Sequence, residues 1–159
     1  MVKSGVLQSV ALAFLLMTSA GFPGLEAAET AQPMQLMAIT ELKAGNMGHY
    51  VVKARINRSD IEVMVDTGAS VVALSYEDAQ TAGLRPNTLD FDVPVATANG
   101  SVKAARAKLE RVEIDSVRVD NVEALVLPKG ALKGTLLGMS FLSKLDSFKS
   151  EDGVLTLKN

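Results

Sequence analysis

The sequence predicts an all-β domain with one or two short helices. From residue 50 onward, segments of alternating apolar and polar residues recur along the chain, together with short unbroken apolar runs. Turn-forming residues separate these segments at close intervals, as in residues 57–60 and at Asn99-Gly100. Several short strands with turns between them are typical of a small β-barrel or a β-sandwich.

The predicted strands follow one another with little other structure between them. They comprise residues 50–56, 61–65, 71–74, 91–96, 102–114, 117–127 and 148–157, the last as a hairpin that turns at 151–153. The unbroken apolar run at 71–74 predicts a strand buried on both faces. Pro94 moves the strand 91–96 toward a sheet edge, because proline cannot donate a ladder hydrogen bond. Asn99-Gly100 predicts a tight hairpin turn, since both central residues of a type I′ turn take positive φ.

Two short helices are predicted between these strands. Residues 75–84 carry Ser75 as a candidate N-cap, with Asp78 three residues later, and Gly83 as a candidate C-cap. A second helix is expected after the apolar segment that begins at Leu136, continuing to Leu145. Both helices are too short to change the all-β class.

The N-terminal residues are predicted to be a targeting segment rather than part of the domain. A short positive region around Lys3 precedes a mostly apolar stretch, and small-residue cleavage sites lie near Ala20 and Ala27. This pattern predicts a signal peptide at residues 1–27 and an exported protein, periplasmic or secreted. The alternative is an uncleaved anchor that holds the domain on the periplasmic side of the inner membrane. The apolar run is short for that role, because a membrane span needs about 20 residues.

The predicted domain occupies residues 46–159, and residues 28–45 are interpreted as a linker. The linker contains an apolar piece at 34–39 for which two alternatives stay open. It is either an edge strand or a processing site at which the domain releases itself.

Composition narrows the possible functions. The chain of 159 residues has no cysteine and one histidine, His49. This argues against a disulfide framework, a thiol nucleophile, a Ser-His triad and a metal site built from cysteine or histidine. The formal net charge of −2, spread without charged runs, argues against a nucleic-acid partner. No metal and no cofactor are expected.

The most informative motif is Asp66-Thr67-Gly68, which lies between two predicted apolar strands. A carboxylate at the end of a buried strand is hydrogen-bonded or functional, because burying an unpaired charge is costly. The glycine allows the backbone to approach that carboxylate closely. Taken alone the tripeptide is a weak signal, since aspartate and glycine both favour ordinary turns.

Three features together resemble the retropepsin-like aspartic proteases, in particular the bacterial single-domain members that are exported or tethered to a membrane. They are Asp66-Thr67-Gly68-Ala69-Ser70 between its strands, Leu136-Leu137-Gly138 later in the chain, and Thr97-Ala98-Asn99-Gly100 between the two. The resemblance covers the chain from about residue 48 to residue 159. It implies a small closed β-barrel that is completed as a two-fold homodimer.

The resemblance also implies a role for each of these residues. Asp66 is expected to activate a water for attack on a peptide bond. The residues expected to support the catalytic loop are Thr67, Gly68, Ala69, Ser70 and Gly138. The residues expected to form a flap that binds and covers the substrate are Thr97, Ala98, Asn99 and Gly100.

The aspartic motif occurs once, so a second catalytic carboxylate has to come from another copy of Asp66. A two-fold dimer places the same residue of each chain at its axis. The resemblance therefore implies a homodimeric aspartic endopeptidase that prefers acidic pH and cuts peptide bonds between apolar residues. The alternatives are a catalytically silent peptide-binding module and a dimerisation module on the same fold.

Overall fold

The computed structural model describes residues 37–97 and 100–159, which belong to one compact unit, 36–159. Its strands are β1 (Ile39–Lys43), β2 (Tyr50–Ile56), β3 (Ser59–Val65), β4 (Val72–Leu74), β5 (Phe91–Thr97), β6 (Gly100–Ile114), β7 (Val117–Val126), β8 (Thr135–Leu137), β9 (Ser147–Glu151) and β10 (Val154–Lys158). The described helical elements are α1 (Tyr76–Thr81), α2 (Met139–Leu142) and two 3₁₀ turns, Asn46–Gly48 and Pro86–Thr88. The all-β class with two short helices is therefore confirmed.

Six strands close into a barrel in the order β2-β3-β8-β4-β7-β6. The circle closes because β6 pairs with β2 as well as with β7, through Arg55 with Glu113 and Ile56 with Val112. Strand β5 pairs with the first part of β6 and extends the sheet beyond the circle. The predicted closed barrel is thus confirmed, and Pro94 lies on a strand at the sheet edge, as predicted.

The barrel interior is filled almost entirely by aliphatic side chains. Alternate residues of a strand point inward, so Ile61 and Val63 of β3 are buried while Glu62 between them is exposed. Phe141 of α2 is the largest of the fully buried side chains. This alternation holds the strand register, because a slip by one residue would turn the apolar set outward.

Strand β8 inserts between the two strands that flank the candidate catalytic loop, residues 66–71. Its Leu136 pairs in parallel with Met64 of β3 and in antiparallel with Ala73 of β4. The loop that joins β3 to β4 therefore has to cross the end of β8. This crossing brings the loop against Gly138, the residue that follows β8.

A second sheet, of order β1-β10-β9, is attached to the barrel. Strand β1 pairs along its whole length with β10, and the buried Thr40 hydroxyl donates to the Ile114 carbonyl oxygen at 3.2 Å. The predicted linker at 28–45 is therefore wrong for Ile39–Lys43, which belong to the folded unit. The apolar piece 34–39 enters the strand at its last residue, and its first three residues lie outside the described part.

The helix signals read from the sequence are met in the structure. The Ser75 hydroxyl accepts a hydrogen bond from the Asp78 N–H at 3.0 Å and so caps α1. Gly83 follows the C-cap residue with a φ of 80°, a conformation that favours glycine. Within the described ranges, no helix has the length and apolar character needed to cross a membrane. The predicted signal peptide at 1–27 lies outside those ranges.

Both predicted hairpins are present, but in the hairpin of β5 and β6 the turn lies one residue earlier than predicted. The closing hairpin joins β9 and β10, with Glu151 paired to Val154. In the hairpin of β5 and β6, Thr97 pairs with Gly100. Gly100, with a φ of 114°, therefore opens β6 instead of standing at the centre of the turn. Ala98 and Asn99 of the predicted flap lie outside the described residues.

Candidate active site

Asp66 comes directly after β3, at a point where the barrel opens into a cleft. Its N–H donates to the Leu137 carbonyl oxygen at 3.1 Å, which ties the residue to the end of β8. One carboxylate oxygen, Oδ1, accepts a hydrogen bond from the Gly68 N–H at 2.8 Å. The side chain is half-buried and lines the cleft. Strand and loop together therefore give the carboxylate one defined orientation.

The residues after Asp66 form a tight turn around its carboxylate. A Cβ built on Gly68 would lie only 3.1 Å from Asp66 Oδ1, so a side chain there would press on the carboxylate. The Ala69 N–H donates to the Asp66 carbonyl oxygen at 3.3 Å and closes the turn. Thr67 and Ser70 are exposed, and their side chains make no hydrogen bond to the described residues. Their hydroxyl groups are thus available to groups outside this chain.

Gly138 lies directly behind the turn. A Cβ built on Gly138 would lie 2.5 Å from the Ala69 carbonyl oxygen and closer still to that of Val71. The next residue, Met139, donates its N–H to the same Ala69 oxygen at 2.8 Å. The loop backbone therefore rests directly on the backbone of the β8–α2 junction, with no room for any side chain between them.

Ser140 holds the exit of the loop, a role that the sequence did not reveal. Its hydroxyl accepts a hydrogen bond from the Val72 N–H at 2.9 Å and donates to the Glu123 carbonyl oxygen at 2.6 Å. One side chain thus joins α2, the start of β4 and β7. The sequence shows Ser140 as a polar residue inside the apolar segment 136–142. That pattern alone does not identify the groups to which the Ser140 hydroxyl bonds.

The cleft next to Asp66 has a volume of about 680 Å³. Among the described residues that line it, Asp66 alone carries a charge. The apolar side chains that form most of its walls are Ala73, Val93, Val95, Leu125, Leu127, Leu132 and Leu136. This arrangement presents one carboxylate to an otherwise uncharged, largely apolar groove.

Of the two predicted flap residues that the structure describes, Thr97 lines the cleft and Gly100 does not. Thr97 lines it and donates its hydroxyl to the Gly100 carbonyl oxygen at 2.8 Å. Gly100 faces Thr97 in the strand pair but is not in the cleft wall. The structure therefore places strand β5 along the cleft that Asp66 lines, and of the described flap residues Thr97 lies in the cleft wall.

Two other aspartates that are followed by a small residue, as Asp66 is, serve as turn residues. Asp115 and Asp152 lie at hairpin turns with φ of 48° and 49°. No second carboxylate lines the cleft among residues 37–97 and 100–159. The same residues hold no group of three or more acidic or histidine side chains arranged for a metal ion. The described part of a single chain thus supplies one carboxylate to the cleft.

Comparison with known proteins agrees with this geometry. Residues 52–144, more than half of the chain, match the family described as "gag-polyprotein putative aspartyl protease". A crystal structure of a retropepsin-like aspartic protease from Rickettsia conorii is 34% identical, with a TM-score of 0.69, over 77% of this chain and 91% of that chain. The chain belongs to the retropepsin-like aspartic protease family. The EIAV protease complexed with the inhibitor HBY-793 shares the fold, with a TM-score of 0.54 and 18% identity over 67% of this chain and 98% of that one.

Two relatives of this retropepsin-like chain are known by sequence. An uncharacterized protein in the cobV 5′ region of a Sinorhizobium species is 44% identical over 112 residues, which is 70% of this chain and 48% of that protein. The uncharacterized protein RP867 of Rickettsia prowazekii (strain Madrid E) is 40% identical over 110 residues, 69% of this chain and 47% of that protein. The chain thus spans about half the length of both relatives.

Proposed function

We propose that the protein is an aspartic endopeptidase whose active site is completed by a second copy of the chain. The observation that carries this proposal is the single carboxylate, Asp66, held by a glycine N–H in the lining of an apolar cleft. Hydrolysis of this kind needs two carboxylates on one water, and the described cleft supplies one. A two-fold axis beside the loop supplies the second as the same residue of the partner.

The proposed reaction uses no covalent intermediate. Two carboxylates about 3 Å apart cannot both be ionised, so they share one proton. The charged carboxylate takes a proton from the water between them, and the protonated carboxyl donates a hydrogen bond to the carbonyl oxygen of the peptide. The attacked carbon becomes tetrahedral, and transfer of a proton to the amide nitrogen releases the two products. Acidic to mildly acidic pH favours the state with one shared proton.

The proposed substrate is an extended peptide with apolar side chains at the scissile bond. The cleft walls support this choice, because they offer leucine, valine and alanine side chains to bury apolar groups. Strand β5 supports the extended form, since it lies at the end of the sheet with one edge unpaired among the described strands. A peptide backbone can add to such an edge by strand pairing.

The proposed location is outside the cytoplasm. The positive region, the apolar stretch and the small-residue sites at residues 1–27 support export. Either the segment is removed and the protein is periplasmic or secreted, or it stays as an anchor in the inner membrane. The catalytic proposal itself requires no cofactor, because both carboxylates and the water are supplied by the dimer and the solvent.

The first test is cleavage of a mixed peptide library by the purified chain from residue 28 onward, at pH 3 to 7, beside its Asp66→Asn variant. We expect cleavage by the wild type that increases toward acidic pH, and none by the variant. A second measurement adds excess Asp66→Asn protein to the wild type. Activity is expected to fall as mixed dimers form, since each contains one carboxylate. Cleavage that survives in the variant, or that is insensitive to mixing, would contradict the shared site.

The unpaired edge of β5 favours a second candidate function, a peptide-binding module without catalysis. In that case the wild type and Asp66→Asn proteins bind the same peptides and neither cleaves them. Binding measured by fluorescence anisotropy, in parallel with cleavage, separates the two functions.

A further inference from the structure

A second groove, which we call the basic groove, adjoins the cleft of Asp66. It has a volume of about 730 Å³ and shares the lining residues Val93 and Leu125 with the cleft, so the two lie side by side. Val71, at the exit of the catalytic loop, also lines it. A peptide that leaves the cleft along this side therefore passes over the basic groove.

The cleft and the basic groove differ in charge. Besides Asp66, the cleft has no charged side chain among its described lining residues. The basic groove is lined by three cationic side chains and one carboxylate, which are Arg106, Lys108, Lys144 and Glu123. Its lining therefore carries an excess of positive charge, although the whole chain has a formal net charge of −2.

Arg106 is the cation of this groove that faces neither a carboxylate nor a hydrogen-bond partner among the described residues. Lys144 donates its ammonium group to the Asn121 carbonyl oxygen at 2.7 Å. Lys108 stands directly opposite Glu123 in the β6–β7 register, so its positive charge faces a carboxylate. Arg106 stands opposite Leu125, is exposed, and makes no ion pair or hydrogen bond with the described residues.

We propose that the basic groove is a specificity subsite that selects an acidic side chain, with Arg106 as the deciding residue. The proposal rests on the proposed function, because it assigns a further requirement to the same peptide substrate. An arginine guanidinium matches a carboxylate with two parallel N–H···O bonds. The apolar floor formed by Val71, Val93 and Leu125 suits the methylene groups of a glutamate better than the shorter side chain of an aspartate.

The position of the groove determines where the acidic residue lies in the substrate. Side chains of an extended peptide point to alternate sides and advance by about 3.3 Å per residue. The glutamate therefore lies outside the apolar pair at the scissile bond, at a position whose side chain faces β6. In the proposed two-fold dimer each chain presents one basic groove, so both ends of a bound peptide meet an Arg106.

The test measures peptide binding and cleavage separately. Blocked peptides with a central leucine pair carry glutamate, glutamine or lysine at each outer position in turn. Binding is measured by fluorescence anisotropy on the Asp66→Asn protein, and cleavage on the wild type. The same set is measured with Arg106→Gln, with Arg106→Glu, and with the control Lys53→Gln. The control removes one positive charge from β2, away from the basic groove.

We expect glutamate at one outer position to tighten binding over glutamine by about two- to five-fold, the range of an exposed ion pair. The preference should weaken with added salt, disappear in Arg106→Gln, turn toward lysine in Arg106→Glu, and persist in Lys53→Gln. Equal binding of glutamate and glutamine peptides, or a preference that persists in Arg106→Gln, overturns the subsite.

The two proposals fail in different ways. Cleavage by the wild type without any glutamate preference keeps the protease and overturns the basic groove as a subsite. Arg106-dependent preference in binding, without cleavage by any protein, supports the basic groove and overturns the protease. If no peptide binds at all, the subsite is overturned.

Discussion

The two sides of the active-site cleft are built by different physical means. The catalytic loop rests on the β8–α2 junction, and Gly138 meets the loop carbonyls without room for a side chain. Hydrogen bonds at Asp66, Ala69 and Val72 tie the same loop to β8 and α2. The loop is therefore held from several directions by partners distant in sequence.

The other side of the cleft is the β5–β6 arm, which we define as the paired residues 91–97 and 100–105. This arm is held mainly by the pairing of its own two strands. Strand β5 pairs with β6 alone among the described strands, and alternate residues of β5 are exposed. The described end of the arm is joined by the Thr97 hydroxyl to the Gly100 carbonyl oxygen. The contrast teaches that the loop position is fixed by contacts with distant elements, while the described part of the arm is supported mainly by its own strand pair.

The largest effect is expected from Gly138→Ala, which breaks the support of the loop. The added methyl group would overlap two backbone oxygens that cannot rotate away. We expect a loss of about 3 kcal/mol or more in unfolding free energy, above the usual range for overpacking. Urea denaturation measures it, and Gly134→Ala is the control, because a Cβ there meets nothing within 4 Å. An equal effect of both substitutions would contradict the close contact at Gly138.

A smaller effect is expected from Ser140→Ala, which removes the hydroxyl between the loop exit and β7. The buried Val72 N–H loses its acceptor, and we expect a loss of about 1 to 3 kcal/mol in unfolding free energy. Activity should fall through kcat more than through KM, with partial rescue by Ser140→Thr. Ser143→Ala on the same segment removes an exposed hydroxyl and serves as the control. A loss confined to KM would argue against positioning by Ser140.

On the arm, Thr97→Val is expected to change stability by less than about 0.5 kcal/mol, as surface substitutions usually do. Thr97 lies in the cleft wall, and the substitution removes its hydroxyl, which donates to the Gly100 carbonyl oxygen. We expect a higher KM for peptide cleavage at nearly unchanged thermal stability. A large fall in melting temperature would show that the arm is held as firmly as the loop.

The smallest effect on stability is expected from Asp120→Asn, on the outer side of the β6–β7 hairpin. Hydrogen bonds from Arg118 and then Arg111 lower the pKa of Asp120 from its ordinary value of 3.8 to about 2. The folded pKa is the lower one, so the carboxylate contributes stability above pH 3.8 that is lost as the pH falls through about 2.

Melting temperatures measured from pH 7 down to pH 2 test this expectation. The wild type should exceed Asp120→Asn slightly at neutral pH, and the difference should shrink only below pH 3.8. The ion pairs would then stay formed over most of the acidic range in which cleavage is expected. A difference that vanishes already at pH 5 would contradict the lowered pKa.

Local patterns in the sequence predicted much of this molecule. The alternation of apolar residues indicated most of the strands, and the Ser75 cap was visible because capping needs only a few neighbouring residues. The motif at Asp66, with Gly138 later in the chain, indicated the family and the loop support. Strand β1 was missed because its pairing partner, β10, lies at the other end of the chain.

The sequence by itself therefore determined the class of fold and the carboxylate that a catalytic site would use. Only the tertiary structure decided that Ser140 bridges β4 and β7, and that Arg106 lines a groove beside the cleft without a hydrogen bond or ion pair among the described residues. The physical reason is that strand periodicity and turn chemistry act over a few residues. Hydrogen bonds and charges across the barrel depend instead on which distant strands close the circle.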